Sequence, residues 1–176
     1  ISFNRSIKLT REGLGFILLT MAIGTAAINT GNNLLYLILA AMLSMIIISG
    51  ILSEGCLRGI DVERIFPRHI FTSTPFHLRI RITNRKRFLS SFSLSLKEVT
   101  KISDQGEARI FRIPPRKTSH TGYMGQFEKR GRTTFKGIII STLFPFGFFI
   151  KSEKRILPCE VIVYPRIDKL PDYLKE

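Results

Sequence analysis

The residues with which this chain can do chemistry are three histidines, two cysteines and 13 carboxylates. A metal centre needs several such side chains at short helical or hairpin spacing. His69, His77 and His120 each lack a second ligand type at that spacing, and His77 falls on the polar side of an alternating run. Cys56 and Cys159 are far apart in the chain and form no C-x-x-C pair, so they read as free thiols. Cys56 sits just past an apolar stretch, where a small buried side chain is a simpler reading than an acylation site. The carboxylates are scattered, with no pair placed for general acid–base work. Ser103-Asp104 is an ordinary polar turn, and no nucleophile elbow, phosphate loop or dinucleotide fingerprint occurs. No catalytic, cofactor-binding or metal-ligating residue is expected, and the chain is not read as an enzyme.

Binding is the remaining chemistry. Basic residues cluster at Arg85-Lys86-Arg87, Arg116-Lys117, Lys129-Arg130-Gly131-Arg132 and Lys154-Arg155, each read as a turn. Four readings compete. Charged turns keep sheet edges from associating. They also attract anionic headgroups, at about 1 kcal/mol per residue that reaches the surface. An acidic protein partner is the third reading. Nucleic acid is the weakest, because the aromatics interleave with apolar residues rather than with these clusters. The densest aromatic run is Leu143-Phe144-Pro145-Phe146-Gly147-Phe148-Phe149, either a core-anchored turn or an exposed docking patch. The candidate docking surface is therefore Lys129, Arg130 and Arg132 with Pro145, Phe146 and Gly147.

These residues must be placed by two unlike parts. The chain has 176 residues, 27 Lys and Arg against 13 Asp and Glu, and a net charge of +14. Yet it is 44% hydrophobic, with a mean hydropathy of +0.15. The reconciliation is segregation: the 41 residues from Gly13 to Ser53 contain no ionisable acid or base. Charge divides as +2 over residues 1–12, zero over 13–53 and +12 over 54–176. That excludes a simple soluble globule, a disordered polycation and a disulfide scaffold.

As one helix the uncharged run would be about 62 Å long, twice a bilayer core of about 30 Å. Asn29, Gly31, Asn32 and Asn33 interrupt it near the middle, where Gly and Asn favour a turn. A transmembrane hairpin over residues 13–55 follows, with helices at about 13–28 and 34–52 and the turn at 29–33. Small residues Gly13, Gly15, Ala22, Gly24, Ala26 and Ala27 favour close packing, with Ala40, Ala41 and Ser44 as the facing surface. A cleaved signal peptide is rejected, because a second and longer apolar segment follows the first. Residues 1–12 form a basic amino-terminal segment. Arg5, Lys8 and Arg11 flank the first helix and Arg58 follows the second, whereas the turn has no Lys or Arg. The positive-inside rule then puts both termini in the cytoplasm. The Asn4-Arg5-Ser6 sequon is irrelevant in that topology.

Past Leu57 the period changes to two. Leu78, Ile80 and Ile82 alternate with Arg79 and Arg81, and Phe92, Leu94 and Leu96 alternate with serines. Further strands are expected at Arg58–Ile65, Ala108–Ile113, Tyr123–Phe127, Arg132–Leu143, Phe148–Ser152 and Glu160–Val163, with prolines between strands or at their ends. This predicts an all-β, immunoglobulin-like sandwich over residues 56–165, facing the cytoplasm, with a Phe-filled core and a linker or tail at 166–176.

Three landmarks, in this order, resemble a known family. They are Asn29-Thr30-Gly31-Asn32-Asn33-Leu34-Leu35-Tyr36-Leu37 between the helices, then Lys129-Arg130-Gly131-Arg132 leading through a strand at 135–140 to Phe144-Pro145-Phe146-Gly147-Phe148-Phe149, then Val161-Ile162-Val163-Tyr164-Pro165-Arg166. Together they look like the amino-terminal part of bacterial membrane proteins of the "domain of unknown function 58" family. The resemblance implies a bacterial inner-membrane location. In that family a von Willebrand factor A-like domain usually follows, and nothing here matches it or its Asp-x-Ser-x-Ser motif. The expectation is a partial polypeptide or a short paralogue. Family members are commonly encoded beside MoxR-type AAA+ ATPases, and the resemblance implies such a partner.

The functional expectation is a non-enzymatic inner-membrane accessory or assembly protein, whose basic sandwich docks a membrane or cytoplasmic protein. The alternatives are a small structural subunit held in a membrane complex by its hairpin, and an anionic-lipid-binding module.

Overall fold

A computed structural model describes residues 4–99 and 107–166. Strand β1 (Asn4–Leu9) leads into helix α1 (Arg11–Thr30) and helix α2 (Asn33–Leu57). Eight strands follow: β2 (Ile60–Ile65), β3 (Ile70–Phe71), β4 (Phe76–Asn84), β5 (Ser91–Glu98), β6 (Ala108–Ile113), β7 (Thr118–Gly125), β8 (Gly131–Thr142) and β9 (Phe149–Tyr164).

Both helices are long and apolar enough to cross a membrane, and little of either is buried. Large apolar side chains such as Leu37 and Ile47 stay more than 60% exposed, unlike those of a soluble core helix. Gly31 ends α1 at φ 63°, a left-handed cap that costs glycine little, and the Asn32 side chain caps α2 by accepting from Leu34 N at 2.9 Å. The turn is thus tighter than 29–33: Asn29 lies in the last turn of α1 and Asn33 opens α2. Of the small residues expected at the seam, Gly24 faces Leu39 of α2 and Ala27 is buried, whereas Gly13 packs on Phe148 of the β8–β9 loop. Gly13, Thr20 and Ala27 recur at seven residues on α1, as do Met42, Ser49 and Cys56 on α2, and all six are buried. Ala40, Ala41 and Ser44 fall off this stripe and are exposed.

The strands form two sheets packed as a sandwich. One runs β2-β4-β7; the other runs β1-β9-β8-β5-β6, with β3 parallel to the end of β9. Inward positions of β4 (Phe76, Leu78, Ile80, Ile82) meet Leu94, Leu96, Ile138 and Ile140 across the interior. The core is mainly aliphatic, not Phe-filled. Phe76, Phe127 and Phe135 are in it, whereas Phe88 and Phe111 are exposed.

Three other expectations are corrected. Residues 148–152 and 160–163 are not separate strands; β9 runs unbroken through Pro158. There the register slips, with Phe135 opposite Cys159 and Gly137 opposite Ile156, so Leu157 and Pro158 share one facing residue. A bulge tolerates a residue without an N–H, so proline does not end the strand. Lys154-Arg155 accordingly lies in β9, not in a turn. Phe92 is not a core residue either, because Ser93 at φ 48° breaks the alternation and puts Ser91 and Leu94 inward. Finally, residues 1–12 are more than a basic flank: Asn4–Leu9 is an edge strand antiparallel to β9, with Leu9 opposite Phe149.

Candidate functional site

The residues with reactive side chains stay apart. His77 faces Met124 across the β4–β7 pair, and His120 faces Arg81. His69 packs its ring 5.7 Å from Tyr164. Cys56 is buried at the end of α2 and Cys159 is half-buried in β9, both as free thiols. Among the described residues no three His, Cys, Asp or Glu side chains gather as a metal site. Ser103-Asp104 lies outside the described residues.

The strands run so that β1, β4, β6 and β8 end, and β2, β5, β7 and β9 begin, at the hairpin end of the sandwich. Here the hairpin is seated. Thr10 caps α1 by accepting from Gly13 N at 2.9 Å, and its hydroxyl donates to Gly147 O at 2.7 Å. Its backbone N–H donates to Phe148 O at 3.1 Å. Phe16 stacks on Phe148 at 4.4 Å. Glu54, near the end of α2, pairs with Arg5 of β1 at 2.7 Å, Lys151 of β9 at 2.7 Å and Arg58 at 2.9 Å. Beneath them, buried Glu153 accepts from Arg155 at 2.8 Å, with Arg5 at 3.7 Å.

This geometry redistributes the predicted site residues. Arg5 is held by carboxylates, while Lys8 and Arg11 are exposed beside the start of α1. Arg58 caps α2, its N–H donating to Glu54 O at 3.2 Å. The six candidate docking residues split. Pro145, Phe146 and Gly147 form the β8–β9 loop, pressed against α1. Lys129, Arg130 and Arg132 surround the start of β8, about 40 Å away along a strand of that length. Lys129 and Arg130, but not Arg132, line a recess with Thr72, Glu128 and Arg166 at the far end of the sandwich.

Sequence reasoning missed what binds the hairpin-end loops together. The buried amide of Asn84 donates to Leu89 O, Ile113 O and Pro114 O at 2.9–3.2 Å. The Lys86 ammonium donates to Gly55 O at 2.6 Å and Ser91 Oγ at 2.6 Å, a cation at the carbonyl end of α2. Its burial pulls its pKa below the ordinary lysine value. Arg58, Arg85, Lys86, Arg87, Arg116 and Lys117 occupy the loops at this end, and no carboxylate does. Asp61, at the start of β2, binds Arg85. Between α2 and the β4–β5 loop lies a cleft of about 750 Å³, walled by Ile51, Leu52, Leu89, Phe92 and Phe144, with Arg58 and Lys86 at its edge.

The second feature that escaped the sequence is inside the sandwich. Arg64 of β2 makes a two-pronged bond to Glu98 of β5, both contacts 2.8 Å, with the two side chains 5% and 0% exposed. Arg64 also donates to Leu157 O at 2.6 Å and covers the Phe135 ring at 5.4 Å. Tyr123 is buried nearby, and burial together with the Glu98 charge raises its pKa. This pair ties one sheet to the other. Position 64 shares the inward face of Ile60 and Val62 in β2, where a charge needs a buried partner, and that partner comes 34 residues later.

A scan against protein-family models finds no match, and no curated protein matches the chain.

Proposed function

We propose that this protein is a non-enzymatic membrane-anchored docking platform. Its hairpin crosses a bacterial inner membrane with both termini in the cytoplasm, and its sandwich presents a basic far rim to an acidic protein partner. The observation that carries the reading is the seat of the hairpin. Glu54 is bound by both β1 and β9, and the β8–β9 loop is locked to Thr10, so anchor and sandwich are one unit. A flexible tether would suit a soluble domain that only needs to stay near a membrane; a locked seat suits one that must present a fixed face.

Charge supports the orientation. The hairpin-end loops are basic without an acid, as expected beside an anionic leaflet, and the turn at Gly31-Asn32 has no cation. The strand order supports the immunoglobulin-like assignment: β2-β4-β7 against β9-β8-β5-β6 is a Greek-key order, to which β1 and β3 add at the β9 edge. The family resemblance makes a MoxR-type AAA+ ATPase the first partner to test.

The test is purification from membranes in mild detergent, comparing the native chain with a Lys129→Glu, Arg130→Glu, Arg132→Glu variant. A stoichiometric partner that the charge reversal releases, with the variant still in the membrane fraction, is the expected result. A lone monomer in every preparation overturns the reading. Retention of the partner by residues 1–55 alone would favour the structural-subunit alternative.

A further inference from the structure

We propose that the cleft between the last turns of α2 and the β4–β5 loop holds an anionic phospholipid of the adjoining leaflet, acyl chain on the apolar wall and phosphate at the cationic edge. The inference rests on the reading that α1 and α2 cross a membrane. It goes further by assigning a lipid site to specific residues.

Three observations meet here. First, the cleft opens on the lipid-facing side of the anchor. Ile51 is 65% exposed on α2 and also lines the cleft, so the helix surface that would touch hydrocarbon continues into it. A chain can enter sideways without crossing water. Second, the volume of about 750 Å³ lies within the roughly 300–1,000 Å³ of ordinary ligand sites, and the wall is apolar except at one edge. Third, that edge is cationic. Arg58 gives Nε to Glu54, and its terminal nitrogens have no protein partner among the described residues. Arg87 is outside the lining itself but belongs to the same β4–β5 loop, where it lies over the exposed Phe88 ring at 5.2 Å. Lys86 plays another part: its ammonium is engaged with α2 carbonyls and fixes the loop rather than the headgroup. The one acid in the lining, Glu54, is surrounded by Arg5, Arg58 and Lys151, so it does not present an uncompensated charge to a phosphate. Phe88, 82% exposed beside Leu89, suits insertion at headgroup depth. An apolar peptide segment would use the wall but has no need of the edge, and the charge favours the lipid.

The chain contains no Trp, so a single introduced one reports on the cleft alone. The full chain carrying Leu89→Trp is reconstituted in vesicles with either brominated phosphatidylglycerol or brominated phosphatidylcholine at equal mole fraction. Stronger quenching by the anionic lipid is expected, about five-fold in apparent binding per cation that reaches the headgroup, and weakened by salt. Arg87→Gln should reduce the preference, and Arg58→Gln with Arg87→Gln should abolish it. Equal quenching by both lipids, or a preference indifferent to these substitutions, overturns the proposal. So does emission that tracks protein concentration instead of lipid, which would assign the cleft to a second copy. Phe88→Trp, at an exposed position, serves if Leu89→Trp does not fold. Flotation of the same vesicles separates the two readings. Protein that fails to float defeats the membrane anchor itself, whereas floating protein without anionic preference defeats only the lipid site.

Discussion

Phe16 in α1 and Phe148, the last residue before β9, stack with centroids 4.4 Å apart and planes 21° from parallel. The pair brings helix and loop so close that a Cβ on Gly13 would lie 2.2 Å from Phe148 O. Gly13→Ala should therefore unseat the hairpin at a cost of about 1–3 kcal/mol. Gly15→Ala, with nothing within 4 Å of its Cβ, should be neutral. Thermal unfolding in detergent, together with the rate of proteolysis between anchor and sandwich, reads the difference.

Inside the sandwich the Arg64–Glu98 pair sets up an asymmetry. Arg64→Met or Glu98→Leu alone strands a buried charge, at a cost of about 3–5 kcal/mol. The double substitution should cost much less than the sum, because both charges leave together. Chemical denaturation of all four proteins in a mutant cycle measures this.

Tyr123 makes the fold sensitive to alkali. The folded state keeps the phenol proton, whereas the unfolded chain releases it near the ordinary value of 10.0. Above that pH the unfolded state binds fewer protons, so stability falls as pH rises. Tyr123→Phe should flatten that limb while leaving the neutral-pH profile in place, seen as melting temperature followed from pH 8 upward.

Topology is testable at the two extremes. A cysteine at Asn32, in a chain with Cys56 and Cys159 replaced by serine, should react with an impermeant maleimide on intact cells. The same reagent should reach a cysteine at Arg130 only after permeabilisation. The opposite pattern would invert the orientation.

The elements with a strong local signal were readable from the sequence. The uncharged run gave the hairpin, Gly31 and Asn32 its turn, and the alternation in His77–Asn84 a strand with the correct inner face. What escaped depends on distant partners. Pro158 argues for a break, yet a bulge of β9 at Leu157-Pro158, opposite Lys136 of β8, accommodates it. Asn4–Leu9 becomes a strand only because β9 offers an edge. Asn84 looks like a turn residue and is the buried clasp of three chain segments. The candidate site failed for a related reason: Lys129 and Phe146 are near in sequence, but a single long strand carries them to opposite ends of the sandwich.

That long-strand geometry has a mechanical consequence. β9, with 16 residues at about 3.3 Å each, runs some 50 Å from the hairpin seat to the recess beside Lys129. It is bonded to β1 at one end, to β3 at the other and to β8 along most of its length, so it acts as a strut. In the proposed membrane-anchored arrangement, a tilt of the helices imposed by bilayer thickness would be carried to the far rim as a lateral displacement, amplified by the length of the lever. A partner of the proposed platform would then meet a surface whose attitude to the membrane is set before contact, without the rotational freedom that a tethered domain surrenders on binding.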